Sequence, residues 1–314
     1  MKRARRRRPK TPEQESDATR PCEEKLWTPP AKAPLWEGAA LADVVKSYQL
    51  LLEVRDRKRL EAFDRRLKAD EQAGTAEAVI FAWLRQLRFD PEWAEDLATG
   101  GPDFMCYPEG YPPFLVEVTT ISKEAAEKRS GWPDQLDDAV HVFGMITPNL
   151  FSSARKKAPQ LAGHQAARVL AVCLSHIGAS ALLGTFAAEW LMTSETKIAV
   201  PIGQAAPVKT TLVTDLRKAV FFRPQNGAIL PARQSISAIL LVALWHNESH
   251  FIGLLHPEPE VAFDYHCLPD VPFLRVAWPI TADRLETFWV IADPEAAKHH
   301  HALVELSDHN LREG

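Results

Sequence analysis

The chain has 314 residues, of which 46% are hydrophobic and 25% charged, and its formal net charge is −4. This composition is typical of an ordinary globular protein with one main core, and the modest charge excludes a globally basic protein that wraps duplex nucleic acid. No apolar run is long enough to cross a bilayer, and four scattered cysteines without a CxxC pair favour reduced thiols, so we expect a cytoplasmic protein without a membrane span.

The N-terminus is strongly basic. Residues 1–10 (MKRARRRRPK) contain seven Lys or Arg and no acid, which leaves 30 basic and 41 acidic residues in the remainder. A run such as Lys2–Lys10 can contact nucleic-acid phosphates without reading their sequence, although many such runs are only solvated termini. Together with the Pro-rich sequence that follows, this run predicts a disordered tail over residues 1–36.

A helical arm is predicted next, over residues 37–74. Between residues 40 and 72 apolar side chains recur every three or four positions and the opposite face is densely charged, which is the pattern of an amphipathic helix. Gly74 interrupts this pattern, and Thr75 is a suitable cap for a second helix over residues 76–87.

Glu77 lies on the apolar face of this second helix. It shares that face with Ile80, Phe81 and Leu84, so we expect its carboxylate to point toward the core. The simpler interpretation is that a glutamate in the first helical turn interacts favourably with the helix dipole.

Strand and helix patterns alternate along the rest of the chain. Apolar segments typical of strands occupy residues 104–107, 114–120, 169–174, 198–202, 236–245 and 251–256. Helical patterns occupy residues 123–129, 135–141, 152–165 and 182–192. This order predicts an α/β or α+β layer sandwich, in which a mixed central sheet is flanked by helices.

The stretch GGPDFMCYPEGYPPFLVEVTTIS, residues 100–122, places two acids in a predicted hairpin. Asp103 follows a Gly-Gly-Pro turn, and Glu117 interrupts an apolar strand, where burying an isolated carboxylate costs several kcal/mol. Taken alone, Asp103 is a common turn residue and Glu117 can face solvent. A shared cation would compensate both charges, and carboxylate oxygens suit Mg²⁺ or Mn²⁺. We therefore predict a metal site formed by Asp103 and Glu117, with Glu77 as a further ligand, either direct or through water.

The order Glu77, then Pro102-Asp103, then Glu117-Val118-Thr119 resembles the PD-(D/E)xK nuclease superfamily, which is restriction-endonuclease-like. The resemblance covers residues 75–175 and implies a mixed, mainly four-stranded sheet flanked by helices. It also implies that the carboxylates bind Mg²⁺ beside a scissile phosphodiester. Residues 176–314 are then predicted to be a strand-rich C-terminal extension of this core.

The lysine of the family pattern is absent, because Thr119 occupies its position. In the family this lysine orients the attacking water and stabilises negative charge, and some members recruit it from a neighbouring helix. The segment RKKAPQL offers Lys156, Lys157 and Gln160 as candidates, with Lys157 and Gln160 on one helix face. Pro159 interrupts that helix, and without the other features these lysines would be interpreted as a solvated face.

These features predict a Mg²⁺-dependent nuclease that hydrolyses phosphodiester bonds in DNA or RNA, with nucleic acid as its partner. The alternative is a catalytically inactive nuclease-like domain that binds nucleic acid or protein. The missing lysine favours the inactive domain, whereas the three retained acids favour catalysis. A third alternative is a structural protein in which the acids coincide by chance.

Overall fold

A computed structural model describes residues 40–98, 100–133, 145–200, 209–214, 219–226, 228–245, 248–277 and 287–292. The basic tail and the helix predicted over residues 135–141 lie outside the described residues. Of the helices in the described ranges, none is both long enough and apolar enough to span a bilayer.

In the described residues, three helices precede the sheet: α1 (Leu41–Arg55), α2 (Arg57–Ala69) and α3 (Glu71–Gln86). The helical pattern is broken twice, at Asp56 and Asp70, where the backbone is extended. Each of these aspartates accepts a hydrogen bond from a backbone N–H in the first turn of the helix that follows it. The three helices pack against one another, so the arm is a compact helical layer and not a single rod.

The helix start predicted at Thr75 is wrong, because Asp70 caps α3 one turn earlier. Gly74 lies inside α3 and faces Leu67 of α2. A Cβ atom at Gly74 would lie 2.7 Å from Leu67 Cδ1 and 3.0 Å from Leu67 Cα. The absence of a side chain at Gly74 therefore sets how closely α2 and α3 approach. The boundary predicted after residue 74, between arm and core, falls inside a helix.

A large mixed sheet contains eight of the strands in the described residues. The strands are β1 (Glu92–Trp93), β2 (Phe104–Cys106), β3 (Phe114–Thr120), β4 (Ala167–Ser175), β5 (Glu195–Val200), β6 (Lys209–Thr214), β7 (Phe222–Gln225), β8 (Ala228–Pro231), β9 (Ala238–Trp245), β10 (Glu248–Leu255), β11 (Phe273–Val276) and β12 (Thr287–Val290). The main sheet has the order β1-β2-β3-β4-β9-β10-β11-β12. Its β3–β4, β4–β9 and β10–β11 pairs are parallel and the others antiparallel. The pairs β5–β6 and β7–β8 form separate antiparallel hairpins.

Helices cover both faces of this sheet. α1, α2 and α3 form the layer on one face, where α3 contacts β3 and β4 and the layer shares a core with β4 side chains such as Val169 and Ala171. On the other face, Leu170 and Val172 pack with α4 (Lys123–Ser130), α5 (Thr147–Lys157), α6 (Ala179–Leu182) and α7 (Thr185–Thr193). Because both faces of β4 are buried, its sequence is continuously apolar from Val169 to Leu174 and does not alternate there. The predicted mixed sheet flanked by helices is confirmed.

We expect Gly74→Ala to destabilise the protein by about 1–3 kcal/mol, although Ala is normally the better helix former by about 1 kcal/mol. The added Cβ atom would collide with Leu67 and push α2 away from α3. Urea unfolding followed by circular dichroism measures the change in the free energy of unfolding. The same substitution should cost less in a Leu67→Ala background, and a stabilised Gly74→Ala protein would contradict the close approach.

Candidate functional site

Asp103 and Glu117 meet at the end of the β2–β3 ladder. Phe104 lies opposite Val116 in this antiparallel pair, so the next position along the ladder places Asp103 opposite Glu117. Asp103 Oδ2 also accepts a hydrogen bond of 2.7 Å from the backbone N–H of Val118, just beyond the last paired residues. Both side chains are buried, since Asp103 is 9% and Glu117 4% exposed.

Glu77 is buried on α3, as its position on the apolar helix face predicts. Its carboxylate accepts hydrogen bonds from Tyr48 Oη at 3.1 Å and from Arg66 Nη1 at 2.5 Å. Tyr48 in turn accepts a hydrogen bond from Trp93 Nε1. The Glu77 carboxylate is therefore held by side chains of α1 and α2, so the helical arm forms part of the candidate site.

Arg66, like Tyr48 and Glu95, belongs to the site but is not predicted from the sequence. Besides contacting Glu77, its guanidinium lies 3.1 Å from Glu95 Oε2 and 3.7 Å from Asp103 Oδ1. In the sequence, Arg66 is one of many charged residues on α2. The signal that could have identified it is Glu77 itself, because a buried carboxylate needs a cation nearby and α2 directly precedes α3.

Lys157 contacts Glu117 from the other face of the sheet. Its Nζ lies 2.6 Å from Glu117 Oε1, whereas Lys156 is exposed on the outer side of α5. The helix predicted to continue to residue 165 is shorter, because α5 ends at Lys157 just before Pro159, which cannot donate a backbone hydrogen bond. Gln160 therefore lies in the following turn, is exposed, and does not share a helix face with Lys157.

A small cavity of about 50 Å³ opens beside these carboxylates. It is lined by Arg66, Glu77, Asp103, Thr119 and their neighbours. This volume exceeds the space that one water molecule needs, so the cavity can hold a few waters next to the Asp103 and Glu77 carboxylates. Thr119, which stands in the position of the family lysine, is half-buried at its rim.

Burial raises the pKa of all three carboxyl groups. The pKa of Asp103 is well above its ordinary value of 3.8, first because of burial and then because of the negative charges of Glu117 and Glu77. Burial also raises the pKa of Glu77 against the opposing effect of Arg66, and that of Glu117 against the opposing effect of Lys157. Burial alone would lower the pKa of Arg66, but Glu77, Glu95 and Asp103 raise it above its ordinary value. An additional cation would therefore relieve the strongest repulsion at Asp103.

Asp103 and Glu117 are the carboxylates of this group to consider as ligands of a divalent cation. In the described part of the chain, no three His, Cys, Asp or Glu side chains are arranged to hold a metal ion. Magnesium needs fewer protein ligands, because it is usually bound by one or two carboxylates while waters and substrate phosphate complete its octahedron. Glu117 Oε2 is buried and has no hydrogen-bond partner among the described residues, so this oxygen remains available to a cation. Glu77 is already held by Arg66 and is better suited to act through water.

No protein-family model matches the chain, and no significant match is found among the curated proteins or the solved structures.

Arg66→Gln should lower the free energy of unfolding by about 1–3 kcal/mol, because Glu77 then stays buried without its cation. The expected loss is smaller than the roughly 3–5 kcal/mol of a fully buried pair, since the Arg66 side chain is 34% exposed. Urea unfolding at neutral pH measures this change in the free energy of unfolding. Arg65→Gln, on the same helix but exposed, is the matched control and should change little. If Glu77→Gln fails to restore stability in the Arg66→Gln background, Arg66 does not act as the counter-ion of Glu77.

Asp103→Asn should stabilise the protein at neutral pH by about 0.5–2 kcal/mol. The amide keeps an oxygen for the Val118 N–H and removes the charge that Glu117 and Glu77 repel. Because the raised pKa means that the folded protein binds the proton more tightly than the unfolded chain does, wild-type stability falls as the pH rises from about 4 through that raised value. Chemical unfolding across this pH interval should give a flatter profile for the variant. A variant less stable than the wild type at neutral pH would contradict the net cost assigned to the Asp103 charge.

Proposed function

We propose that the protein is a Mg²⁺- or Mn²⁺-dependent nuclease that hydrolyses phosphodiester bonds in DNA or RNA. The observation that carries this proposal is the contact between Lys157 Nζ and Glu117 Oε1. Thr119 leaves the family pattern without a cation, and Lys157 brings one to the same carboxylate from the neighbouring helix α5. A lysine that only covered the protein surface would not need to reach a glutamate that is 4% exposed.

The sheet topology supports a PD-(D/E)xK-like core over residues 75–175. β1 to β4 are adjacent, mixed in direction and flanked by α3 on one face and α5 on the other. This agrees with the four-stranded mixed sheet that the resemblance implies. In this proposal residues 176–314 extend the core, because β9 continues the sheet directly beside β4.

In the proposed mechanism, Asp103 and Glu117 would hold the metal ion and Glu77 would hold a water beside it. When bound, such an ion would supply an activated water and offset negative charge on the phosphate. Lys157 lies at Glu117, where its ammonium group can orient the attacking water and stabilise negative charge on the phosphate oxygens. The Thr119 hydroxyl can donate a hydrogen bond into the cavity but carries no charge. Arg66 and Tyr48 keep the Glu77 carboxylate in place.

The second candidate is a nuclease-like domain that binds nucleic acid or protein without cutting. The position of Arg66 favours it, because this guanidinium already lies beside Glu77, Glu95 and Asp103 and neutralises part of the charge that would attract a metal ion. In either case nucleic acid is the expected partner, and the basic tail Lys2–Lys10 would add phosphate contacts without sequence preference.

Lys157→Ala should lower metal-dependent cleavage by about 10²–10³, by analogy with the removal of one charge-stabilising group from an active site. The substrates are plasmid DNA, single-stranded DNA and RNA, each incubated with Mg²⁺, with Mn²⁺ and with EDTA. Lys128→Ala, an exposed lysine of α4, is the matched control for loss of one positive charge. Circular dichroism and urea unfolding check that each variant is folded.

Two outcomes separate the candidates. Metal-dependent cutting that is lost in Lys157→Ala and in Glu117→Gln supports hydrolysis at this site. Binding without cutting of any substrate by the wild-type protein supports the inactive domain. A larger loss of cutting in Lys156→Ala than in Lys157→Ala would contradict the assignment of Lys157.

A further inference from the structure

Three arginines lie near the C-terminal end of α5, on a surface that the proposed mechanism does not use. Arg155 belongs to α5, Arg223 to β7, and Arg233 to the segment that follows β8. Arg155 and Arg223 are exposed, and Arg233 is half-buried. Among the described residues none of the three has a carboxylate salt-bridge partner.

Three contacts place the Arg233 segment between α5 and the chain that leads to Arg223. Arg233 Nη1 donates a hydrogen bond of 2.5 Å to the backbone oxygen of Val220, three residues before Arg223. The Arg233 guanidinium lies over the ring of Phe151, 4.5 Å from its centroid. Ser235 Oγ donates a hydrogen bond of 2.7 Å to the backbone oxygen of Ala158, the C-cap of α5. Because Phe151 and Arg155 are one turn apart on the same face of α5, Arg155 lies on the side of the helix that Arg233 contacts.

Arg155 and Arg223 both repel the positive charge of Arg233. The pKa of Arg233 is lowered, first by burial and then by Arg155 and Arg223. A helix dipole favours a cation in the last turn of α5, which accounts for Arg155, but Arg223 and Arg233 come from a different part of the chain. Outside the basic tail the sequence has more acidic than basic residues, so this cluster is a local exception. A bound anion would relieve the repulsion.

We propose that Arg155, Arg223 and Arg233 form a surface that binds the phosphate backbone of the nucleic-acid substrate beside the active site. This inference rests on the proposed function. Arg155 and Lys157 are two residues apart, about 200° around the helix, so they flank its buried face on opposite sides. The arginine surface is therefore separated from Glu117 by about the width of one helix, roughly 10 Å, which a stacked strand spans in about three nucleotides. A strand that crosses the end of α5 can contact both.

The test compares the full-length wild-type protein with the double variant Arg155→Gln/Arg223→Gln. Arg233 stays intact because it packs on Phe151. Fluorescence anisotropy measures binding to labelled single-stranded DNA, duplex DNA and single-stranded RNA of equal length, in EDTA so that no strand is cut, at several salt concentrations. The basic tail is present in both proteins, so the difference between them reports the arginine surface.

The double variant should bind more weakly, and the slope of log Kd against log salt concentration should fall by about 1.4–1.8, the value for two lost phosphate contacts. The three nucleic acids show which form the surface prefers. The control Arg65→Gln/Lys68→Gln removes the same charge from exposed positions of α2, on the other face of the sheet, and should bind like the wild type.

An unchanged slope in the double variant, or an equal loss in the control, overturns the arginine surface and leaves the proposed hydrolysis standing. A reduced slope without metal-dependent cutting of the same oligonucleotides supports the surface and overturns hydrolysis. If the wild-type protein binds none of the three nucleic acids, both proposals fall.

Discussion

The burial of three carboxylates around β2, β3 and α3 is the constraint on which the candidate site depends. A carboxylate taken out of water is costly unless cations and hydrogen bonds replace its hydration. Two cations compensate the charges here: Arg66 reaches Glu77 from α2, and Lys157 reaches Glu117 from α5. These helices lie on opposite faces of the sheet. The site is therefore complete only when both helical layers are docked, so its electrostatics and the packing of the domain are inseparable.

The parts of the site that could be predicted from the sequence depend on local pattern. Asp103 and Glu117 follow from a Gly-Gly-Pro turn and a strand of period two. Choosing Lys157 over Lys156 requires the rotation of α5, which is set by tertiary packing of its buried side chains. Arg66 could not be predicted because nothing local distinguishes it from the other charges of α2. The helical pattern predicts Gln160 on a helix, but Pro159 cannot donate the backbone hydrogen bond that would continue α5 beyond Lys157.

In the fold, too, local sequence pattern predicts some elements, and tertiary packing determines the others. β9 and β10 were predicted because their apolar runs are long, whereas β1 has two residues and β11 and β12 have four each, too few to show a period. Such short strands exist because neighbouring strands offer them hydrogen bonds, which is a tertiary effect. The helix start at Asp70 is also hard to predict from the sequence. Both Asp and Gly are typical of helix ends, and only the structure shows that Asp70 is the cap and that Gly74 lies inside α3.

The central position of β9 has a consequence for how the chain folds. β4 pairs in parallel with β9, and the hairpins β5–β6 and β7–β8 lie between them in the sequence. Hairpins and the α1–α3 layer need only local contacts, but a parallel pairing between distant segments must first close a long loop, and this makes it slow. During synthesis, Arg66, Asp103, Glu117 and Lys157 all leave the ribosome before β9 does. The residues of the candidate site are therefore all synthesised before the strand that completes the centre of the sheet.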